Sequence, residues 1–201
     1  MSGHAQQCVE RYLELAKLDK SSLTKVTTPS IDDHQLHADD FEAKGQLNLT
    51  CSRIVLKALY LARVARPDIY WCVNDLARQV SKWNVACDKR LHRLISYIHH
   101  TQHYTMQAYV GDKFEDCVLL MFADASFAGD LKDSKSTSGM LMYLMGPNTF
   151  APIGWMCKKQ GAVSHSSSES EIISLDAALR MNGCACLTLW DVLLDVFAPT
   201  K

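Results

Sequence analysis

No stretch of this chain approaches eighteen consecutive apolar residues. The opening Met1-Ser2-Gly3-His4-Ala5-Gln6-Gln7 has neither a basic start nor an apolar core, so neither a membrane span nor a secretion signal is expected. The eight cysteines include no Cys-x-x-Cys pair, only Cys184-x-Cys186. That spacing argues against a zinc ribbon or a disulfide scaffold, and the cysteines, Cys184 and Cys186 among them, read as reduced thiols of the core. Gly-x-Ser-x-Gly is missing, so the serines of 164–170 read as helix-capping residues rather than nucleophiles. There is no internal repeat. With 48% hydrophobic and 21% charged residues over 201 positions, the balance excludes a disordered tail and fits one or two globular domains inside the cell.

The net charge of −1 conceals three unlike segments. Residues 1–50 carry five basic and eight acidic side chains, residues 53–113 ten and four, and residues 114–201 six and ten. The basic middle also holds His92, His99, His100 and His103, with Trp83, Tyr97 and Tyr104 between the charges. Such a stretch suits either a phosphate backbone or a solvated helix face.

Periodicity divides the chain at about residue 117. Val9, Tyr12, Leu13, Leu15, Ala16 and Leu18 predict an amphipathic helix ending near Asp19-Lys20-Ser21-Ser22. Residues 24–48 have no sustained period and predict an exposed loop. Its run Asp32-Asp33-His34-Gln35-Leu36-His37-Ala38-Asp39-Asp40 offers metal-ligand types, but nothing in the sequence fixes their geometry. Three helices are expected over 52–104, the second opened by Pro67. From residue 117 the pattern becomes strand-like. Cys117 to Ala123 is an apolar run of seven, expected to be covered on both faces. Met140 to Met145 and Phe150 to Cys157 complete an antiparallel meander, followed by a helix from Ser168 through Arg180 and another after Asn182-Gly183.

Asp124 stands at the C-terminal end of the apolar run, where a rigid strand delivers a carboxylate to solvent. Its candidate partner is Glu171, in Ser166-Ser167-Ser168-Glu169-Ser170-Glu171. Divalent-metal phosphoryl chemistry needs several converging oxygen ligands. The spacing Ser168-x-x-Glu171 equally fits a capping box, and Glu169 fits first-turn charge. The run Gly129 to Thr137 imitates a phosphate-binding loop, but Ser134 replaces its second glycine and a strand follows where a helix should begin.

These pieces resemble the copia-type LTR retrotransposon Pol polyprotein, from the end of its reverse transcriptase into its ribonuclease H domain. Phe122-Ala123-Asp124-Ala125-Ser126-Phe127-Ala128-Gly129-Asp130 is similar to the family's Asp-Ala-Asp/Ser-Trp-Ala-Gly-Asp element, and Lys135-Ser136-Thr137-Ser138-Gly139 to its Lys-Ser-Thr-Ser-Gly. Ile153-Gly154-Trp155-Met156-Cys157-Lys158-Lys159-Gln160 resembles Ile-Ser-Trp-x-Ser-Lys-Lys-Gln, and Ser166 to Glu171 resembles Ser-Ser-Thr-Glu-Ala-Glu. Upstream, Leu59 to Ile69 is similar to Leu-Tyr-Leu-Ala-x-x-x-Arg-Pro-Asp-Ile, and Lys89 to Ile98 to the family's basic helix. Phe127 replaces a tryptophan, and Leu56-Lys57 replaces a small pair.

The resemblance implies an α/β chain. A mainly helical thumb or connection segment over 1–110 would precede a truncated ribonuclease H-like domain over 114–201, built from a three-strand antiparallel meander plus helices. It implies two-metal hydrolysis of the RNA strand of an RNA/DNA hybrid, with Mg²⁺ or Mn²⁺ held by Asp124 and Glu171. Lys89, Arg90, Arg93, Lys135, Ser136, Lys158 and Lys159 would face the nucleic acid. The implied partners are the hybrid and the remainder of the Pol polyprotein, with no membrane and no small-molecule cofactor. The implied setting is intracellular, in a cytoplasmic particle or the nucleus. The family's third carboxylate, in a strand like Tyr-x-Asp-Asn-x-x-Ala, has no counterpart before Lys201, so little or no cleavage is expected of this chain alone. A non-catalytic nucleic-acid-binding fragment, or a decayed transposon remnant, is the alternative.

Overall fold

The computed structural model describes residues 2–129 and 133–197. The chain divides into two compact units, Met1–Met106 and Gln107–Lys201. The division precedes residue 110 because Tyr109–Val110 forms a short strand that pairs within the second unit.

The first unit is helical: α1 Ser2–Ala16, α2 Ala38–Glu42, α3 Cys51–Val64, α4 Tyr70–Arg78 and α5 Val85–His100. Its apolar stripes meet one another in a single core that includes Val9, Ile54, Leu61, Val73, Leu91, Leu94 and Ile98. Each end has a local cause. Lys17, at φ 55°, ends α1 while the Leu18 amide donates to the Leu13 carbonyl at 3.0 Å. The side chain of Asn84 caps α5 by accepting the Cys87 amide at 2.9 Å. The expected second helix is interrupted: Pro67–Ile69 and Val80–Lys82 are 3₁₀ turns on either side of α4. The predicted loop contains a 3₁₀ turn at Asp33–Gln35 as well as α2.

The second unit holds β1 Tyr109–Val110, β2 Val118–Ser126, β3 Thr137–Gly146 and β4 Thr149–Lys159 in one antiparallel sheet of order β1-β4-β3-β2. The expected meander is present, with β1 added to it. The register shifts at Met142/Tyr143, where Tyr143 faces Pro152 and Met142 faces Gly154, so the proline sits at a bulge that does not need its missing amide. The loop expected at 129–135 lies partly outside the described residues. After β4 come α6 Ser167–Ala178, a π turn at Leu179–Gly183 and α7 Cys184–Phe197.

The helical run Ser167–Phe197 reaches a mean hydropathy of 1.3 over 18 residues and is, by length and composition, apolar enough to cross a membrane. The count of unbroken apolar residues gave no sign of this. Ser170, Ser174 and Ala178, spaced four apart, seat its first turns on β2 and β3. Coverage of β2 on both faces is not observed: exposed Val118, Leu120 and Phe122 alternate with half-buried Leu119, Met121 and Ala123. One helical layer covers one face, and β2 lies at the edge of the sheet.

Candidate functional site

The nominated carboxylates lie on neighbouring elements. Asp124 is on β2, opposite Gly139 of β3, and Glu171 is in the first half of α6. The two elements are tied one helical turn beyond Glu171, where the Ser174 hydroxyl donates to the Asp124 carbonyl at 2.6 Å and approaches the Gly139 carbonyl at 3.4 Å. Small buried serines let α6 come this close to the strand backbones.

A second tie was not foreseen. Gln160 is buried, and its amide nitrogen donates to Ser138 Oγ at 3.1 Å and to the Ser170 carbonyl at 2.9 Å. Its amide oxygen accepts from Ser164 Oγ at 2.9 Å, and its backbone amide donates to the Ser136 carbonyl at 2.8 Å. Gln160 therefore fastens the start of α6 to β3. The sequence signal was its place at the end of Lys158-Lys159-Gln160.

The capping alternative for Glu171 is removed. The N-cap is Ser166, whose Oγ accepts the Glu169 amide at 3.1 Å, and Glu169 accepts the His165 amide at 2.6 Å. Glu169 is thus a capping residue as well as first-turn charge. Glu171 is left exposed, as is Asp124. Strand alternation sends the Asp124 side chain to the face of β2 that carries Phe122, opposite Ala123, which packs in the cluster with Ala178. The helix of Glu171 packs on the Ala123 face, so strand alternation turns the Asp124 side chain to the other face of β2 from that helix. Among the described residues, no group of three His, Cys, Asp or Glu side chains is placed to hold a metal ion, and this includes the run 32–40.

The nominated cations are engaged within the fold. In the first unit Lys89 Nζ lies 2.6 Å from Asp40 Oδ2, and Arg90 pairs with Asp33 and with Asp75, the latter at 3.2 Å. Arg93 donates to the carbonyl and hydroxyl of Thr28 at 3.0 and 2.9 Å. The Lys89 ammonium, with the His37 amide, holds the Asp40 carboxyl below its ordinary range. In the second unit Lys135 donates to the Gly161 carbonyl at 2.7 Å, Lys158 approaches Met181 Sδ at 3.8 Å, and Lys159 pairs with Asp133 at 2.8 Å. Ser136 is fully buried and accepts the Ala128 amide at 3.1 Å, so it braces the loop from within rather than presenting a hydroxyl outward.

None of the eight cysteines forms a disulfide among the described residues. Cys8, Cys51, Cys72, Cys87 and Cys117 are buried as expected, and burial raises the Cys8 thiol to about 11. Cys184, expected in the core, is exposed, and Cys186 is only partly buried, because α7 is covered on little of its circumference.

No family model and no solved structure matches this chain. Curated relatives do. Over 122 residues, 61% of this chain, it is 32% identical to the secreted RxLR effector protein 161 of Plasmopara viticola, and the match covers 81% of that protein. It is 29% identical over 161 residues to the retrovirus-related Pol polyprotein from transposon RE1 of Arabidopsis thaliana, and 33% identical over 127 residues to that from transposon RE2. These matches span 80% and 61% of this chain but only 10% and 8% of the two polyproteins. The chain is thus a relative of the secreted RxLR effector protein 161, most of whose length it matches, and is similar to a short segment of the retrovirus-related Pol polyproteins from transposons RE1 and RE2.

Proposed function

We propose that this chain is the ribonuclease H-related segment of a retrotransposon Pol polyprotein together with the helical stretch before it, and that it serves removal of the RNA strand from RNA/DNA hybrids. The observation that carries this reading is the bond from Ser174 to the Asp124 carbonyl. It keeps the helix of Glu171 against the strand of Asp124, in a chain similar to a segment of a retrotransposon Pol polyprotein. In this reading the exposed carboxylates of the second unit face the RNA strand, and the cations of α5 in the first unit contact phosphate.

A pair of carboxylates falls short of the oxygen-rich cage that two Mg²⁺ or Mn²⁺ ions require, and the described residues supply no third ligand beside them. We therefore assign this chain no catalytic step through a metal. The remainder of the polyprotein is the proposed partner. Among the described residues β2 is an edge strand, and with the exposed side chains of Val118, Leu120 and Phe122 it gives that partner a place to dock. The proposed setting is a cytoplasmic particle or the nucleus. A second reading, a nucleic-acid-binding segment without catalysis, is favoured by the same missing third ligand.

The test incubates the purified chain with an end-labelled RNA/DNA hybrid in Mg²⁺ or Mn²⁺, beside an Asp124→Asn control. The expected result is binding that weakens as salt rises, with no cleavage above the control. Absence of binding at low salt overturns the hybrid reading. Cleavage lost in the control shows that the two carboxylates suffice.

A further inference from the structure

Helix α5 carries Lys89, Arg90 and Arg93, and all three already hold one acidic segment of the same unit. Residues 24–42 contain five acidic side chains and one lysine. The segment is fixed at both ends. Leu23 is buried before it, and after it the Val85 amide donates to the Ala43 carbonyl at 3.0 Å while the Gln46 amide donates to Asp88 at 2.5 Å. Between these anchors it crosses α5 on polar fastenings: Thr28 on Arg93, Asp33 on Arg90 and Asp40 on Lys89, with the Arg90 guanidinium 5.7 Å from the centre of the Phe41 ring.

Apolar packing beneath the segment is thin. An open pocket of about 500 Å³ lies beside these fastenings, lined by Val26 and Ile31 of the segment, Tyr12 of α1, and His92, Arg93 and Ser96 of α5. The Ser96 hydroxyl is buried and has no hydrogen-bond partner, a sign that packing here is not optimised. Leu36 is the large apolar side chain the segment buries outright. Each ion pair that holds the segment leaves one partner open to solvent, Lys89 in one and Asp33 in the other at 42% exposure, so both pairs are weakened by salt. A polyphosphate presents the same chemistry as the aspartates, anionic oxygens at regular intervals, and competes for the same three cations.

We propose that residues 24–42 form a polyanionic strap that occupies the basic face of α5 and is displaced by a phosphate backbone, so that the chain restrains its own nucleic-acid affinity. This deepens the proposed function and rests on it for the identity of the ligand. The strap presents carboxylates where phosphates would lie, and its two anchored ends make displacement local and reversible.

The test compares the full chain with an Asp33→Asn/Asp40→Asn variant, using fluorescence anisotropy with two probes: a labelled RNA/DNA hybrid, and labelled inorganic polyphosphate. Circular dichroism first establishes that the variant is folded, and Asp33→Asn alone is the substitute if it is not, since Asp40 also accepts the His37 amide. The variant is expected to bind both probes several-fold more tightly. Its slope of log affinity against log salt should steepen by about one for each cation released. Hydrogen exchange at the amides of His34, His37 and Ala43 should rise when the wild-type chain meets either probe, while Leu94 to Ile98 stay protected. Equal affinities of wild type and variant for both probes overturn the strap, as does binding of neither probe by either protein. A variant that gains polyphosphate affinity without hybrid affinity leaves the strap standing and overturns the hybrid reading.

Discussion

Residues 1–106 bury branched aliphatic side chains completely, with Ile54, Leu94, Ile95 and Ile98 at 0% exposure, whereas the buried apolar cluster of residues 107–201 is Met140, Met142, Met156 and Ala178. In the first unit every long helix turns its stripe onto another helix. In the second, one face of the sheet meets α6, while Phe122, Leu141, Phe150 and Ile153 remain on the surface with much of α7. The first unit thus meets the requirements of an independent core, and the second keeps apolar surface of the kind that marks an interaction site. The nominated charges divide by sign instead: the cations of both units are engaged within the fold, and Asp124 and Glu171 stand exposed.

The contrast breaks or sharpens in four measurements. The largest effect is expected at the closed core: Leu94→Ala should cost the first unit about 3 kcal/mol in denaturant unfolding, while Phe122→Ser in the second should stay within about 0.5 kcal/mol and reduce binding of a hydrophobic dye. Similar costs at both positions would erase the distinction. Next comes Arg66→Ala. This buried guanidinium donates to both oxygens of Asp68 at 2.8 Å, and to the carbonyl and hydroxyl of Thr101 at 2.9 and 2.8 Å, so its loss should cost about 2 kcal/mol.

Ser174→Ala, which cuts the tie to the Asp124 carbonyl, should cost the second unit about 1 kcal/mol and raise exchange along β2. The smallest effect concerns pH. Asp40 titrates below its ordinary range in the folded chain, so its contribution is full above the unfolded value of ~3.9 and is lost as pH falls through the folded value. Amide resonances of Ala38–Glu42 should shift in that window before those of α5 do.

Much of this arrangement was legible in the sequence. Pro67 and the apolar stripes of α3, α4 and α5 located three helices, because periodicity acts within a few residues; the Asn84 cap of α5 emerged with the fold. The meander followed from apolar runs separated by Gly146-Pro147-Asn148. Features set by distant partners were not legible. Tyr109–Val110 is too short to show a period and becomes a strand because Phe150 and Thr149 pair with it. The run 117–123 suggested two covered faces, but burial of the second face depends on what packs there. The cap of α6 was displaced by two residues because several serines in a row suit the position equally. The acidic loop and the basic middle were visible as separate charges, and their pairing through Asp33, Asp40, Lys89 and Arg90 is tertiary. Asp124 and Glu171 were named from the sequence, whereas Gln160 and Ser174, which brace their elements, emerged only with the fold.

The most direct test of the account is a Mn²⁺ titration followed by paramagnetic broadening of amide resonances. If Asp124 and Glu171 belong to one site, weak Mn²⁺ binding should broaden residues near 124 and near 171 together, and Asp124→Asn should abolish both effects. Broadening confined to one of the two, or unchanged in the variant, would contradict it.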